Sequence, residues 1–164
     1  MAFCITGLPT QTFQPLFGLD AAALRRKGVL RKVADSDTGY PCRITLKHIK
    51  TGQPALLLNF TSHAVETPFR SAYAIYVDPA ATQTTMLQDQ LPEVLLGRSI
   101  ALRIFDKTGM LLGAELDTDG QVEQKIKTIF NKPEAAYIHA HTAAYGCFLT
   151  EIARNFFSVP SKAL

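Results

Sequence analysis

A single α+β domain with a mostly antiparallel sheet and about two helices is the fold class predicted by this 164-residue sequence. Three observations lead there. Short alternating or near-continuous apolar segments, set off by turn residues, recur along the chain and read as strands. Only two segments combine helical periodicity with capping signals. The strands come in runs instead of alternating one for one with helices, which is the α+β pattern. The length suits one domain with a real core, and no repeat, low-complexity tract or linker divides residues 1–164.

AFCIT (2–6) reads as a short strand stopped by Gly7 and Pro9. Asp20 suits the N-cap of a helix over 21–27, with Gly28 past its end and Arg25, Arg26 and Lys27 where the helix dipole favours cations. Residues 29–33 read as extended, and 35–39 as a turn cluster. Ile44, Leu46 and His48 alternate with Thr45, Lys47 and Ile49, which predicts a strand that turns at Thr51-Gly52 and pairs with a more buried strand over 54–60. Residues 61–68 read as a loop, 69–77 as a strand, and 79–92 as irregular, with Pro92 opening one helical turn.

In 99–106, Ile100, Leu102 and Ile104 alternate with Ala101, Arg103 and Phe105, and after a turn at 107–109 residues 110–116 return as the partner strand. Thr118 and Gln121 read as a capping box for a helix over 119–131, whose apolar stripe is Val122, Ile126, Ile129 and Phe130. Pro133 ends it, and 135–141 is a strand. The segment 147–154 fits two periods. Phe148, Ile152 and Phe156 make a helical stripe, whereas Phe148, Thr150 and Ile152 share a strand face after a loop at 142–146. The strand is the preferred reading.

Net charge is +3, which is mildly basic and argues against a dedicated nucleic-acid binder. The one basic cluster, Arg25, Arg26, Lys27, Arg31 and Lys32, lacks the interleaved aromatics that single-stranded nucleic acid requires. Three widely spaced cysteines, with no CxxC, argue for reduced thiols in the cytoplasm. The N-terminus has no basic region followed by an apolar one, so no signal peptide is read. No apolar run approaches the roughly 18 residues of a membrane span. Nothing in the sequence sets an oligomeric state.

The densest patch of chemistry is AAYIHAHTAAYGCFLTEIAR (135–154). On a strand, His139 and His141 project to one face and could offer two imidazole nitrogens to zinc, with Cys147 as third ligand. Cys147 could instead be a thiolate nucleophile with His141 as base, oriented by Asp106 or Asp117. Cys42, beside Arg43, is the other candidate thiol. Against both stands inert packing, since free cysteine and histidine are often simply buried. A separate reading starts from Arg43, Arg70, Arg103 and Arg154, each in or beside a predicted strand. A guanidinium on a covered face must be paired, and its fork of donors suits carboxylate or phosphate. With Tyr40 or Tyr73 supplying a hydroxyl, converging arginines would bind a small anion; otherwise each pairs with an internal acid or reaches water. A structural or regulatory partner protein without any small-molecule site is the third class.

GYPCRITL (39–46), PFRSAYAIYV (68–77) and the GCF of 146–148, with LPEVLLGRSIALRIFDKTGM (91–110) between them, resemble in order and spacing the bacterial domain-of-unknown-function family numbered 1203. The resemblance runs over nearly the whole chain. It implies a small bacterial cytosolic protein and brings no activity, cofactor or catalytic residue, so the functional argument rests on residue chemistry.

Overall fold

The computed structural model describes residues 2–155. Nine strands and three α-helices follow in the order β1 (Phe3–Thr6), α1 (Thr10–Phe17), α2 (Ala21–Arg26), β2 (Leu30–Val33), β3 (Pro54–His63), β4 (Ser71–Val77), β5 (Met86–Gln88), β6 (Ile100–Phe105), β7 (Leu111–Asp117), α3 (Val122–Ile129), β8 (Tyr137–Thr142) and β9 (Phe148–Arg154). A 3₁₀ turn, Glu93–Leu95, precedes β6. The strands form two sheets, one of six in the order β5-β1-β9-β8-β6-β7 and one of three in the order β2-β3-β4. Every strand pair is antiparallel. The α+β reading holds, with the sheet divided in two.

The alternation in β6 decides what each face of the large sheet does. Ile100, Leu102 and Ile104 join Ile138, Ala140 and Ile152 in one core, against Val122, Ile126, Ile129 and Phe130 of α3 and its C-terminal end. Each of the larger side chains contributes roughly 1.5–3 kcal/mol when fully buried. The opposite face carries Arg103, His139 and Glu151 in register across three strands. A second core holds Leu56, Ile75 and Val77 of the small sheet with Phe13 of α1 and Leu24 of α2. The small sheet meets the polar face of the large one through His63, whose ring lies 4.2 Å from that of Phe105, and Tyr73, 5.1 Å from that of His141.

Several local expectations are corrected. The strand over 44–49 is a compact loop, closed by an isolated bridge between Pro41 and His48 and by Leu46 at φ 54°. Its alternating burial comes from serving two cores: Leu46 enters the first, and Cys42, Ile44 and Ile49 enter the second. The place beside β3 expected for that strand is taken by β2, with β4 on the other side. Gly7, just after β1, presses on this loop. A Cβ there would lie 2.1 Å from the Ile44 carbonyl oxygen, so no side chain fits. The predicted helix at 21–27 forms with Asp20 as its cap, the carboxylate accepting from Ala23 N–H at 2.7 Å. Helix α1 is additional. The 147–154 segment is a strand, and Phe156 of the rejected helical stripe lies outside the described residues.

The capping box is also replaced. Gln121 caps α3 without a side-chain bond, and buried Asp117 does the work instead, accepting from Gly120 N–H at 3.1 Å and Gln121 N–H at 2.9 Å. Lys125 lies 3.9 Å from the same carboxylate. Asp117→Ala is expected to destabilise the fold by about 1–2 kcal/mol, because it strands two amides at a helix start. Thr118→Ala should stay within about 0.5 kcal/mol of wild type. Urea denaturation of both variants checks this, and equal losses would restore the capping box.

Candidate functional site

Arg43 is 3% exposed, although it lies in a loop. The two segments singled out by their sequence, GYPCR and GCF, meet on its guanidinium. Nε donates to the Phe148 carbonyl at 2.9 Å and Nη1 to the Pro41 carbonyl at 2.6 Å. The third nitrogen, Nη2, has no hydrogen-bond partner among the described residues. Burial lowers the guanidinium to about 10, with the sulfurs of Cys147 and Cys42 favouring its charged form and Arg98 opposing it. It remains a cation at neutral pH.

Arg43 lines a cavity of about 450 Å³, with Arg98, Tyr76, Thr142, Tyr145 and Cys147 among the other walls. That volume falls in the range of small-molecule sites. Arg98 enters from the loop before β6, behind Gly97 at φ 67°. One of its nitrogens, Nη2, donates to the Thr38 carbonyl at 3.0 Å and to His48 Nε2 at 3.2 Å. Accepting that bond makes His48 the neutral, Nδ1-protonated tautomer; burial, then Arg98, holds its pKa below the ordinary histidine value. Nη1 and Nε of Arg98 have no partner among the described residues. A second cavity of about 490 Å³, walled by His48, adjoins across Arg98, Thr142 and Tyr145. Among the described residues no carboxylate lies within ion-pair distance of Arg43, Arg98 or Arg103.

The 142–147 loop forms the far wall. Gly146 takes φ 69°, a conformation that suits glycine. Thr142 Oγ1 accepts from Cys147 N–H at 3.1 Å and fixes the cysteine on the loop. A register shift between β8 and β9 follows at once, pairing His141 with Phe148 and Ala140 with Thr150. The extra residue, Leu149, turns into the first core. Phe148 is thereby free to stand beside His141 and to present its carbonyl to Arg43.

Behind this wall lies the polar layer between the sheets. His139 and His141 point to the same face, with ring centroids 6.2 Å apart. His139 Nε2 donates to Glu151 Oε2 at 3.2 Å. His141 Nδ1 donates to the Gly146 carbonyl at 2.9 Å, and its Nε2 is sealed without a partner. Tyr137 O–H donates to His63 Nε2 at 2.7 Å, while His63 Nδ1 donates to the Phe69 carbonyl at 2.8 Å. Arg103 reaches the Tyr73 hydroxyl at 2.5 Å.

The sequence-predicted residues thus divide. Arg43 and Cys147 share the cavity. Arg103 lies in the polar layer, beside Tyr73 of the small sheet. Arg70 is exposed. Arg154 gives all its nitrogens to carbonyls, Nε to Ala135 at 2.7 Å, Nη1 to Phe130 at 2.7 Å and Nη2 to Lys132, and so closes the end of α3. Tyr40 packs at a tilt against Tyr76, ring centroids 4.9 Å apart, and donates to Asp35 at 3.1 Å. Cys42 is 1% exposed, its sulfur accepting from Thr45 and Asp78 N–H. Asp106 and Asp117 hold a turn and a helix start, so neither orients His141. Among the described residues no three His, Cys, Asp or Glu side chains are grouped to hold one metal ion, so the zinc set His139, His141 and Cys147 does not assemble. Arg98 was not singled out from the sequence. The signal for it was its place in the segment 91–110, between Gly97 and the start of a strand.

The family model for a protein of unknown function, DUF1203, matches residues 39–154, from the first residue of GYPCR to the end of β9. The chain belongs to the DUF1203 family. Membership carries no activity with it. No protein of curated function and no solved structure matches the chain. Every wall residue of the cavity named above falls within the matched span. Among the described residues no helix is long and apolar enough to cross a membrane.

The buried histidines tie stability to pH. Burial lowers His141 to about 4 and also holds His139 below its ordinary value, against the pull of Glu151. In the unfolded chain both titrate near 6.5. Between those values the unfolded chain binds more protons, so stability rises with pH. The His141 contribution is fully present above about pH 6.5 and is lost as pH falls toward 4. Between pH 7.5 and 4.5 it should cost roughly 2–3 kcal/mol. Urea unfolding at the two pH values, in wild type and His141→Gln, measures it. An equally steep loss in the variant would assign the effect elsewhere.

Proposed function

We propose that the protein binds a small anion, a carboxylate or a phosphate, in the cavity between Arg43, Arg98 and the 142–147 loop. The observation that carries the reading is Arg43, a buried guanidinium with two nitrogens on carbonyls and, among the described residues, no partner for the third and no acid within ion-pair distance. A buried cation without a counter-charge is costly, and an anion entering the cavity would supply one. Arg98 adds a second cation on the same wall, and Thr142 and Tyr76 add hydroxyl-bearing side chains. Arg70, Arg103 and Arg154, the other arginines of the sequence reading, take no part in it. Nucleic acid and membranes are not the partners this reading takes. A cytoplasmic, bacterial setting belongs to the proposal too, and three free cysteines fit a reducing compartment.

Calorimetric titration with phosphate and with small di- and tricarboxylates tests the site, in chloride-exchanged protein. Saturable binding is expected. Arg98→Gln should weaken it about 10-fold or more, since one charge-assisted contact is worth roughly 1.5–3 kcal/mol. Arg98 is half-buried and outside both cores, so the variant should keep its thermal midpoint within a few degrees. No binding by wild type, or equal binding by the variant, would overturn the proposal.

A further inference from the structure

We infer that Cys147 is the residue at which this cavity captures a low-molecular-weight anionic disulfide, as a mixed disulfide. The inference rests on the anion site proposed above and adds the chemical class of one of its ligands. The three thiols are not equivalent. Cys42 is sealed, with its sulfur held by two backbone amides. Cys4 lies on β1, its sulfur 3.6 Å from Thr6 Oγ1, and pairs across to Gln88 of β5 and Ala153 of β9, away from the cavity. Cys147 is half-buried on the cavity wall, and its sulfur makes one weak contact, 3.9 Å from the Tyr145 carbonyl.

The second observation is independent of the thiol. Arg43, which lines the same cavity, is buried and fixed at two nitrogens; its third nitrogen and two of Arg98 have no hydrogen-bond partner among the described residues. A disulfide carrying carboxylates would place one of them on these guanidinium groups and so bring its sulfurs to the loop that carries Cys147. A neutral disulfide has no such hold. In the reaction the Cys147 thiolate attacks one sulfur of R–S–S–R. A new Sγ–S bond forms, the old S–S bond breaks, and R–S⁻ leaves with the electron pair and takes a proton from solvent. The disulfide is the oxidant, and a free thiol reverses the step. The loop supports this geometry without strain at the cysteine itself, because the positive φ falls on Gly146 and the Cys147 amide is tied to Thr142.

The test uses the reduced protein with glutathione disulfide as the anionic probe and bis(hydroxyethyl) disulfide as the neutral one. Peptide mapping by mass spectrometry gives the rate of adduct formation at each cysteine. Cys147 is expected to react first with the anionic probe, and Cys147→Ser should abolish that adduct. The ratio of anionic to neutral rates should fall about tenfold in Arg98→Gln, the size of an electrostatic steering effect, and fall likewise when phosphate is added. Equal labelling of Cys4 and Cys147, or a ratio unmoved by Arg98→Gln, would overturn the inference. If phosphate still binds by calorimetry in that case, the thiol step alone fails and the anion site stands. If phosphate does not bind either, both readings fail together.

Discussion

A guanidinium almost wholly withdrawn from solvent organises this molecule. Arg43 holds the carbonyl of Phe148, 105 residues away, and that of Pro41 in its own loop. Removing the charge from water is unfavourable, and two charge-assisted bonds to carbonyls offset only part of that cost. What they do secure is position. The start of β9, the compact loop after Gly39 and the cavity between them have one fixed relation, because the planar fork of arginine permits no other. A lysine at the same position would keep the charge and lose the geometry.

The polar layer behind Arg43 follows from the same arrangement of strands. One face of the large sheet is ordinary core. The other could have been solvated, as in many antiparallel sheets, but β3 and β4 cover it. Five strands therefore supply side chains that must satisfy one another between the sheets: His63 with Tyr137, His139 with Glu151 at the open edge, Arg103 with Tyr73, and His141 with the Gly146 carbonyl. Each histidine of the layer is buried and bonds to a hydroxyl, a carboxylate or a backbone carbonyl. The pattern that suggested metal ligands, two histidines two residues apart, is real as strand geometry. Its chemistry is that of a hydrogen-bonded interlayer.

How much of this the amino-acid order disclosed depends on how local the cause is. The alternation in β6, the Asp20 cap of α2 and the stripe of α3 are local, and each was legible. Helix α1 was not, because it begins after Pro9 with no side-chain cap and contains Pro15, both of which read as helix-breaking. The loop at 41–49 imitates a strand because two different cores bury its alternate residues. Asp117 was hidden as a cap because it sits at the end of a strand, where Thr118 and Gln121 offered a more familiar motif. At the site, Arg43 and Cys147 were visible as candidates, but their meeting depends on a bulge between β8 and β9 and on a contact across 105 residues. Arg98 matters only because the loop before β6 passes the same cavity, and no periodicity encodes that.

The compact loop has one more consequence. Its side chains are shared, Leu46 with the α3 side of the large sheet and Cys42, Ile44 and Ile49 with the small sheet and its helices. Gly7 clamps it from the end of β1, and Leu8 N–H bonds to the Arg43 carbonyl at 2.7 Å. Neither half of the molecule can come apart while the loop stays folded, and the loop cannot open without exposing apolar surface in both. Two cores joined in this way behave thermodynamically as one cooperative unit. The boundary between the two sheets is thus an internal seam that this loop spans.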